Sequence, residues 1–194
     1  MKTQALKTTI ASLLLSIILF SSYACSSEKK ANGQTNSQPF EMTIHTASMT
    51  GNVEAIKEHI AAKSDLNEVD AYGSTALSNS ATFNKPEITK LLIEAGADIN
   101  AKIGDGSTVL HVAAFFGRTD IVKLVLDADV DTKIRNNFGV TALESIQSSF
   151  ESVQMIYDQL AKDLAPLGLK LDYDELKASR PVISKMIIDH QSSH

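Results

Sequence analysis

The sequence predicts an all-α fold, a solenoid of about four helix–turn–helix units with short hairpin turns and a C-terminal helical cap. The first observation is a repeat, because Thr75, Thr108 and Thr141 follow one another at intervals of 33 residues. The second is that the units share one order, a glycine-bearing turn, an alanine-rich segment and a segment with Ile and Leu at helical spacing. A fixed period of this length is typical of repeat solenoids. Two further columns keep the same interval: Gly73, Gly106 and Gly139, and Leu77, Leu110 and Leu143.

Residues 1–24 are predicted to be a secretory signal peptide. Lys2 and Lys7 make its start positive. The apolar run 10–20 is about half as long as the roughly 20 residues that a membrane-spanning helix needs. Small residues before Cys25 are typical of a cleavage site, so we expect an exported protein.

The segment that ends at Cys25 resembles the signal of bacterial lipoproteins, in which this cysteine begins the mature chain and carries lipid. Ser22 stands where that family usually has leucine, and an ordinary signal peptidase would cut the same bond, so both products stay open. Lipidation is favoured because Cys25 is the only cysteine, and a lone thiol is a liability in an oxidising compartment. With Ser26 next, the resemblance implies a periplasmic protein that is lipid-anchored to the outer membrane.

Residues 25–38 are predicted to be a flexible tether. After Cys25 this stretch contains no large apolar side chain, so it cannot bury enough surface to order itself. Such a segment provides reach between an anchor and a domain.

The units then follow over residues 39–165. In the second to fourth units a threonine is predicted to begin a short helix, and Gly51, Asn84 and Gly117 are predicted to end the short helices of the first three units. Asparagine is the best substitute for glycine where the backbone is left-handed. A second helix follows, with apolar residues at helical spacing.

Two phrases carry a family resemblance: Gly-x-Thr-x-Leu-His-x-Ala-Ala at 106–114 and Gly-Ala-Asp-Ile-Asn at 96–100. They resemble ankyrin repeats, which implies an ankyrin-repeat solenoid. The first and last units are degenerate, because Met42 replaces the opening threonine and Glu144 replaces the histidine. Divergent ends are expected, since a terminal repeat faces water on one side.

Residues 166–194 are predicted to cap the stack. An amphipathic helix ends near Pro166, a short helix is expected near 172–178, and a last helix is expected to start at Ser179-Arg-Pro181. The alternative is a separate partner-binding element. The cap is favoured because a solenoid must cover its apolar end.

No catalytic residue, cofactor or metal site is predicted. His45 and His111 occupy the histidine column, where the resemblance implies hydrogen bonds between loops. No Cys or His stands at metal-ligand spacing from His59 in the sequence. Alternating aspartates at 127–131 lack the glycine and late glutamate of a calcium loop. A net charge of -5 argues against a nucleic-acid partner, because binding phosphates requires a basic surface.

The resemblance implies binding through the hairpin tips and the exposed ends of the first helices. Four of the seven phenylalanines fall there, and clustered exposed aromatics mark partner sites. The alternative is that Phe115 or Phe116 turns inward to pack between repeats. The predicted partner-binding residues are Tyr72, Phe83, Asp105, Phe115, Phe116 and Phe138.

These observations favour a monomeric protein-binding module of the bacterial cell envelope whose partner is another protein. The alternative is a regulator or protector of an envelope enzyme, such as a peroxidase or a wall hydrolase. An enzyme in its own right is less favoured, since the sequence contains no motif for a nucleophile or a phosphate-binding loop.

Overall fold

A computed structural model of the protein describes residues 42–193. Every regular element in this stretch is a helix, so the predicted all-α fold is confirmed. Within the same stretch, no helix is both long and apolar enough to span a bilayer. The helices are α1 (Ile44–Thr50), α2 (Val53–Ala61), α3 (Ala76–Thr82), α4 (Pro86–Glu94), α5 (Val109–Phe115), α6 (Thr119–Asp127), α7 (Ala142–Ile146), α8 (Phe150–Leu164), a 3₁₀ turn (Ala165–Leu167) and α9 (Tyr173–Ser193).

The helices stack in two layers. The first helices of the units (α1, α3, α5 and α7) pack one on the next, and the second helices (α2, α4 and α6) do the same beside them. Leu77 and Leu110 are buried in the first layer, and Ile88 and Ile121 are buried in the second. The apolar columns of the repeat therefore contribute to one core that runs through the stack.

Threonine side chains begin the first helices. Thr75 and Thr141 each accept the main-chain N–H three residues on, at 3.1 and 3.2 Å. These caps satisfy amides that have no partner within the helix. Thr43 does the same for α1, at 3.1 Å. The prediction that the first unit lacks an opening threonine is therefore wrong, because the cap lies one residue after Met42.

Left-handed residues end the first helices, as predicted. Asn84 has a φ of 54°, which matches the 69° of Gly117 in the next unit. The sequence did not predict a second left-handed column, after the second helices. There Lys63 and Asp129, with φ of 56° and 61°, occupy the place that Gly96 has in the second unit.

The fourth unit departs from the period. Its first helix, α7, is followed by α8, and α9 is the helix that packs against both α6 and α7. Ile183 and Ile187 of α9 are completely buried in the main core. Thus α9 lies where the second helix of the unit is expected, and α8 is an insertion between the two helices.

The last helix is continuous from Tyr173 to Ser193, so the prediction of two separate helices is wrong. Pro181 removes one main-chain hydrogen bond, which usually costs about 3 kcal/mol inside a helix. Its own ring is exposed, whereas Leu176 before it and Ile183 after it are buried. Burial on both sides of the proline stabilises the continuous helix.

A buried arginine joins α9 to α7 and α8. Arg180 donates from Nη2 to the carbonyls of Ile146 and Ser148, at 2.8 and 2.6 Å, and from Nη1 to Tyr157 Oη at 3.3 Å. The Tyr157 hydroxyl in turn donates to the Phe115 carbonyl at 2.6 Å. Burial raises the pKa of Tyr157 to about 12, although Arg180 opposes the shift, so the phenol keeps its proton near neutral pH.

Candidate functional site

Three hairpin tips present a row of side chains one repeat apart. Tyr72 is 80% exposed and Phe138 is 40% exposed, while Asp105 between them is half-buried. We call these three residues the tip surface. Val69, which is 52% exposed, adds apolar area to the hairpin of Tyr72. The sequence did not single out Val69, because its column has Lys102 and Arg135 in the next two units.

Aspartate and asparagine side chains hold the hairpins in shape. Asp70 Oδ1 accepts the N–H groups of Tyr72 and Ser74 at 2.8 and 2.9 Å. Asn136 Oδ1 accepts that of Phe138 at 3.0 Å. Short polar side chains commonly stabilise turns in this way. Both exposed aromatic residues therefore project from turns that are ordered before any partner binds.

The hairpins are also bonded to one another. The N–H of Gly104 donates to the carbonyl of Gly73 at 3.2 Å, and the N–H of Asn137 donates to that of Asp105 at 2.9 Å. These bonds join the three tips into one continuous ribbon. The spacing of the aromatic side chains is thus set by the protein itself, which lowers the ordering cost of binding.

Two predicted contact residues are not exposed. Phe83 and Phe116 are only 9% and 7% accessible, so the expectation that they stand on an open face is wrong. They end α3 and α5 and belong to the main core, as does Leu169 on the segment that leads back to α9. The rings line a cavity whose opposite wall is residues 168–172. Their part in partner binding stays a prediction.

Phe115 is covered by α8. Its ring stacks on Tyr157 with centroids 4.4 Å apart, and it meets Phe116 edge-on at 5.3 Å. Phe150 stacks on the other side of Tyr157 at 5.4 Å. The six predicted contact residues therefore fall into two groups. Tyr72, Asp105 and Phe138 lie on the hairpin tips. The three phenylalanines at 83, 115 and 116 pack against other parts of the fold.

Histidines of the repeat column bond to the following hairpin. His111 Nε2 lies 3.1 Å from the Val140 carbonyl, and its Nδ1 accepts the N–H of Thr108 at 3.2 Å. His45 Nε2 lies 2.9 Å from the carbonyl of Glu68. A neutral ring with its proton on Nε2 satisfies both bonds of His111. This residue supports the ribbon that carries the tip surface.

We expect His111 to make the protein acid-sensitive. Burial lowers the pKa of His111 below its ordinary 6.5, and the Val140 hydrogen bond and the Asp105 charge oppose the shift. The unfolded chain therefore binds a proton at this histidine more readily than the folded protein does. The free energy of unfolding then decreases as the pH drops below 6.5, and it levels off once the pH is below the pKa of His111 in the folded protein. The slope reaches at most about 1.4 kcal/mol per pH unit.

The check is urea unfolding at several pH values with His111→Ser, because Ser78 occupies the same column. The difference in unfolding free energy between the wild type and the variant should shrink as the pH falls through this window. A difference that stays constant with pH would show that His111 is not the titrating group.

Among residues 42–193 no group of three or more His, Cys, Asp or Glu side chains is placed to hold a metal ion. The predicted signal peptide 1–24, lipidation at Cys25 and tether 25–38 lie outside the described residues and stay predictions.

A stack of helix pairs whose hairpins form one continuous ribbon defines a helical repeat protein. The chain matches the model of a family described as ankyrin repeats (3 copies), over residues 8–103 and over 44–136. These matches include more than half of the chain, and the protein belongs to the ankyrin-repeat family. A comparison with curated proteins finds no match. Ankyrin repeats generally mediate protein–protein interactions.

Proposed function

We propose that the protein is a binding module of the bacterial cell envelope and that the tip surface is its contact with a partner protein. The observation that supports this is the exposure of Tyr72 and Phe138 on a bonded hairpin ribbon, on either side of Asp105. Exposed aromatic side chains on a rigid surface are typical of residues that dominate binding energy.

The proposed location depends on the first 38 residues. The signal peptide 1–24 would export the chain, and a lipid on Cys25 would anchor it in the outer membrane, with the repeats in the periplasm. The predicted tether over residues 25–38 would have a root-mean-square reach of about 20 Å if it behaves as a flexible chain, which would let the repeats meet a partner near the membrane surface.

We expect the double variant Tyr72→Ser, Phe138→Ser to lose its partner. Removing an exposed aromatic contact costs about 2 kcal/mol at a binding hot spot, so recovery of the partner should fall tenfold or more, by rough estimate. The full chain with a C-terminal tag is expressed in its own bacterium, crosslinked and captured from the envelope fraction. The mass of the captured N-terminus is read from the same sample, and we expect an acylated chain that begins at Cys25.

Met155→Ser is the matched control, because Met155 is 83% exposed but lies on α8, away from the hairpins. It should leave recovery unchanged. Equal recovery by the double variant, with the same thermal unfolding as the wild type, would contradict the role of the tip surface. A chain that keeps residues 1–24 in the cytosolic fraction would contradict the location.

A further inference from the structure

The hairpin of Phe138 is the last in the ribbon, so one of its edges has no neighbouring hairpin. In the first of the three hairpins, the carbonyl of Gly73 accepts the N–H of Gly104 from the next hairpin at 3.2 Å. Gly139 stands two periods after Gly73. Within residues 42–193, however, no main-chain N–H from a later segment donates to the hairpin of Phe138. Its outer carbonyl groups therefore need another donor or stay open to water.

Arg135 supplies that donor from its side chain. Its Nη1 donates to the carbonyl of Gly139 at 2.6 Å. The same guanidinium makes a two-point contact with the carboxylate of Glu144, with Nη1–Oε2 and Nη2–Oε1 distances of 2.6 and 3.1 Å. The column of Arg135 contains Val69 and Lys102 in the two earlier units. Valine has no donor, and the ammonium of Lys102 donates instead to the carbonyl of Arg135 at 3.1 Å.

Glu144 occupies the histidine column, one period after His111. Each of these side chains accepts the main-chain N–H three residues earlier, which for Glu144 is that of Thr141 at 2.8 Å. His111 uses its other ring nitrogen to bond the next hairpin at Val140, whereas Glu144 uses its carboxylate to bond Arg135. The hydrogen bond from Arg135 lowers the pKa of Glu144 below its ordinary 4.5, and the amide of Thr141 adds to the shift. The replacement of histidine in the last unit therefore keeps the helix cap and redirects the second bond.

These bonds fix the main chain on both sides of Phe138. Its N–H donates to Asn136 Oδ1 at 3.0 Å, and the carbonyl of the next residue, Gly139, is held by Arg135. The side chain of Phe138 is 40% exposed, so packing alone does not order this hairpin. A single exposed ion pair usually contributes little, but a two-point arginine–carboxylate contact within a network is the exception. The pair of Arg135 and Glu144 is such a contact.

We propose that Arg135 is a positioning residue: together with Glu144 it closes the ribbon where a further hairpin would bond, and it orders Phe138 for the partner of the tip surface. This inference rests on the proposed function, because the order of Phe138 affects binding only if the tip surface is the contact. A side chain that is ordered in advance loses less freedom when it binds, which corresponds to roughly threefold to tenfold in affinity.

The first measurement is main-chain ¹⁵N relaxation of the full-length protein labelled with ¹⁵N-phenylalanine and ¹⁵N-tyrosine. The chain has seven phenylalanines and four tyrosines, and the signals of Phe138 and Tyr72 are assigned by replacing each with serine. The variant is Arg135→Val, which introduces the residue that Val69 provides in the same column. We expect the order parameter of the Phe138 amide to fall from about 0.85 to below about 0.6, while that of Tyr72 stays unchanged.

Two further variants show whether the contacts of Arg135 are the cause. Lys133→Val removes an exposed cation of the same hairpin that is in no ion pair among the described residues, and it should leave the order of Phe138 unchanged. Glu144→Gln keeps an acceptor for the amide of Thr141 but removes the charge that holds Arg135, so the order parameter of Phe138 should be intermediate. It also carries the test if Arg135→Val does not fold. An unchanged order parameter in Arg135→Val, or an equal fall in Lys133→Val, would overturn the proposal.

The second measurement is recovery of the crosslinked partner by the tagged full chain. Arg135→Val should lower recovery by roughly threefold to tenfold, and Lys133→Val should leave it unchanged. Unchanged recovery by Arg135→Val, while the variant Tyr72→Ser, Phe138→Ser loses the partner, would overturn the positioning role alone. Unchanged recovery by both would overturn it together with the tip surface, so the two failures are distinguished.

Discussion

Replacing Arg180 with methionine is expected to lower the free energy of unfolding by about 3–4 kcal/mol. The side chain is only 6% exposed and donates to the carbonyls of Ile146 and Ser148 and to Tyr157 Oη. Methionine keeps the apolar stem but leaves both carbonyls without these bonds. It also removes the link by which α9 holds α7 and α8. The measurement is the urea unfolding midpoint and slope.

Two variants make this result specific. Arg180→Lys keeps the charge but cannot reproduce the planar donor geometry, so we expect a loss of about half that size. Arg135→Met is the matched control, because Arg135 pairs with Glu144 at 2.6 Å while more than half of its side chain is exposed. Exposed ion pairs contribute at most about 1 kcal/mol. If Arg180→Met were no more destabilising than Arg135→Met, the buried junction would have no special role in stability.

Gly106→Ala is expected to lower the free energy of unfolding by about 3–4 kcal/mol, against about 1–2 kcal/mol for Gly139→Ala. Both glycines have a φ of 76° and occupy the same place in successive hairpins, so the backbone strain is matched. A Cβ at Gly139 would meet nothing within 4 Å. A Cβ at Gly106 would lie 2.9 Å from the main-chain nitrogen of Asn137 and closer still to the side-chain oxygen of Asn137.

The difference between the two variants measures how closely the hairpins that carry Asp105 and Phe138 approach each other. Relief of the clash would move the hairpin of Phe138 and break the 2.9 Å bond from Asn137 N–H to the Asp105 carbonyl. Adding Asn137→Ala to Gly106→Ala should restore only part of the loss, since the main-chain contact remains. Equal losses in the two single variants, measured by urea unfolding, would contradict the close approach. Because Phe138 is on the displaced hairpin, partner binding should also weaken in Gly106→Ala.

Half of the candidate contact site was predictable from the sequence. Tyr72, Asp105 and Phe138 lie in one column of the period, and a column on a turn keeps its position from unit to unit. The same reasoning placed Phe83 and Phe116 on an open face, but the segment 168–172 lies over them. The buried Arg118 Nε without a hydrogen bond was not predicted. Its burial results from contacts between distant segments, which the sequence around a turn does not indicate.

The sequence by itself determined the repeat, its caps and its turns. Thr75 and Thr141 cap helices through bonds that span three residues, and Asn84 ends one through its own left-handed backbone. Such features depend on a few neighbouring residues, so the same pattern gives the same local structure in each unit.

Only the tertiary structure decided where the non-periodic residues lie. Tyr157 bonds to a carbonyl 42 residues earlier, and Arg180 to one 34 residues earlier, across the insertion α8. A period of 33 residues specifies contacts between adjacent units, because each repeat packs only on its neighbours. It contains no information about how an insertion folds back. That return covers Phe115, completes the fourth unit with α9 and encloses the cavity beside Arg118.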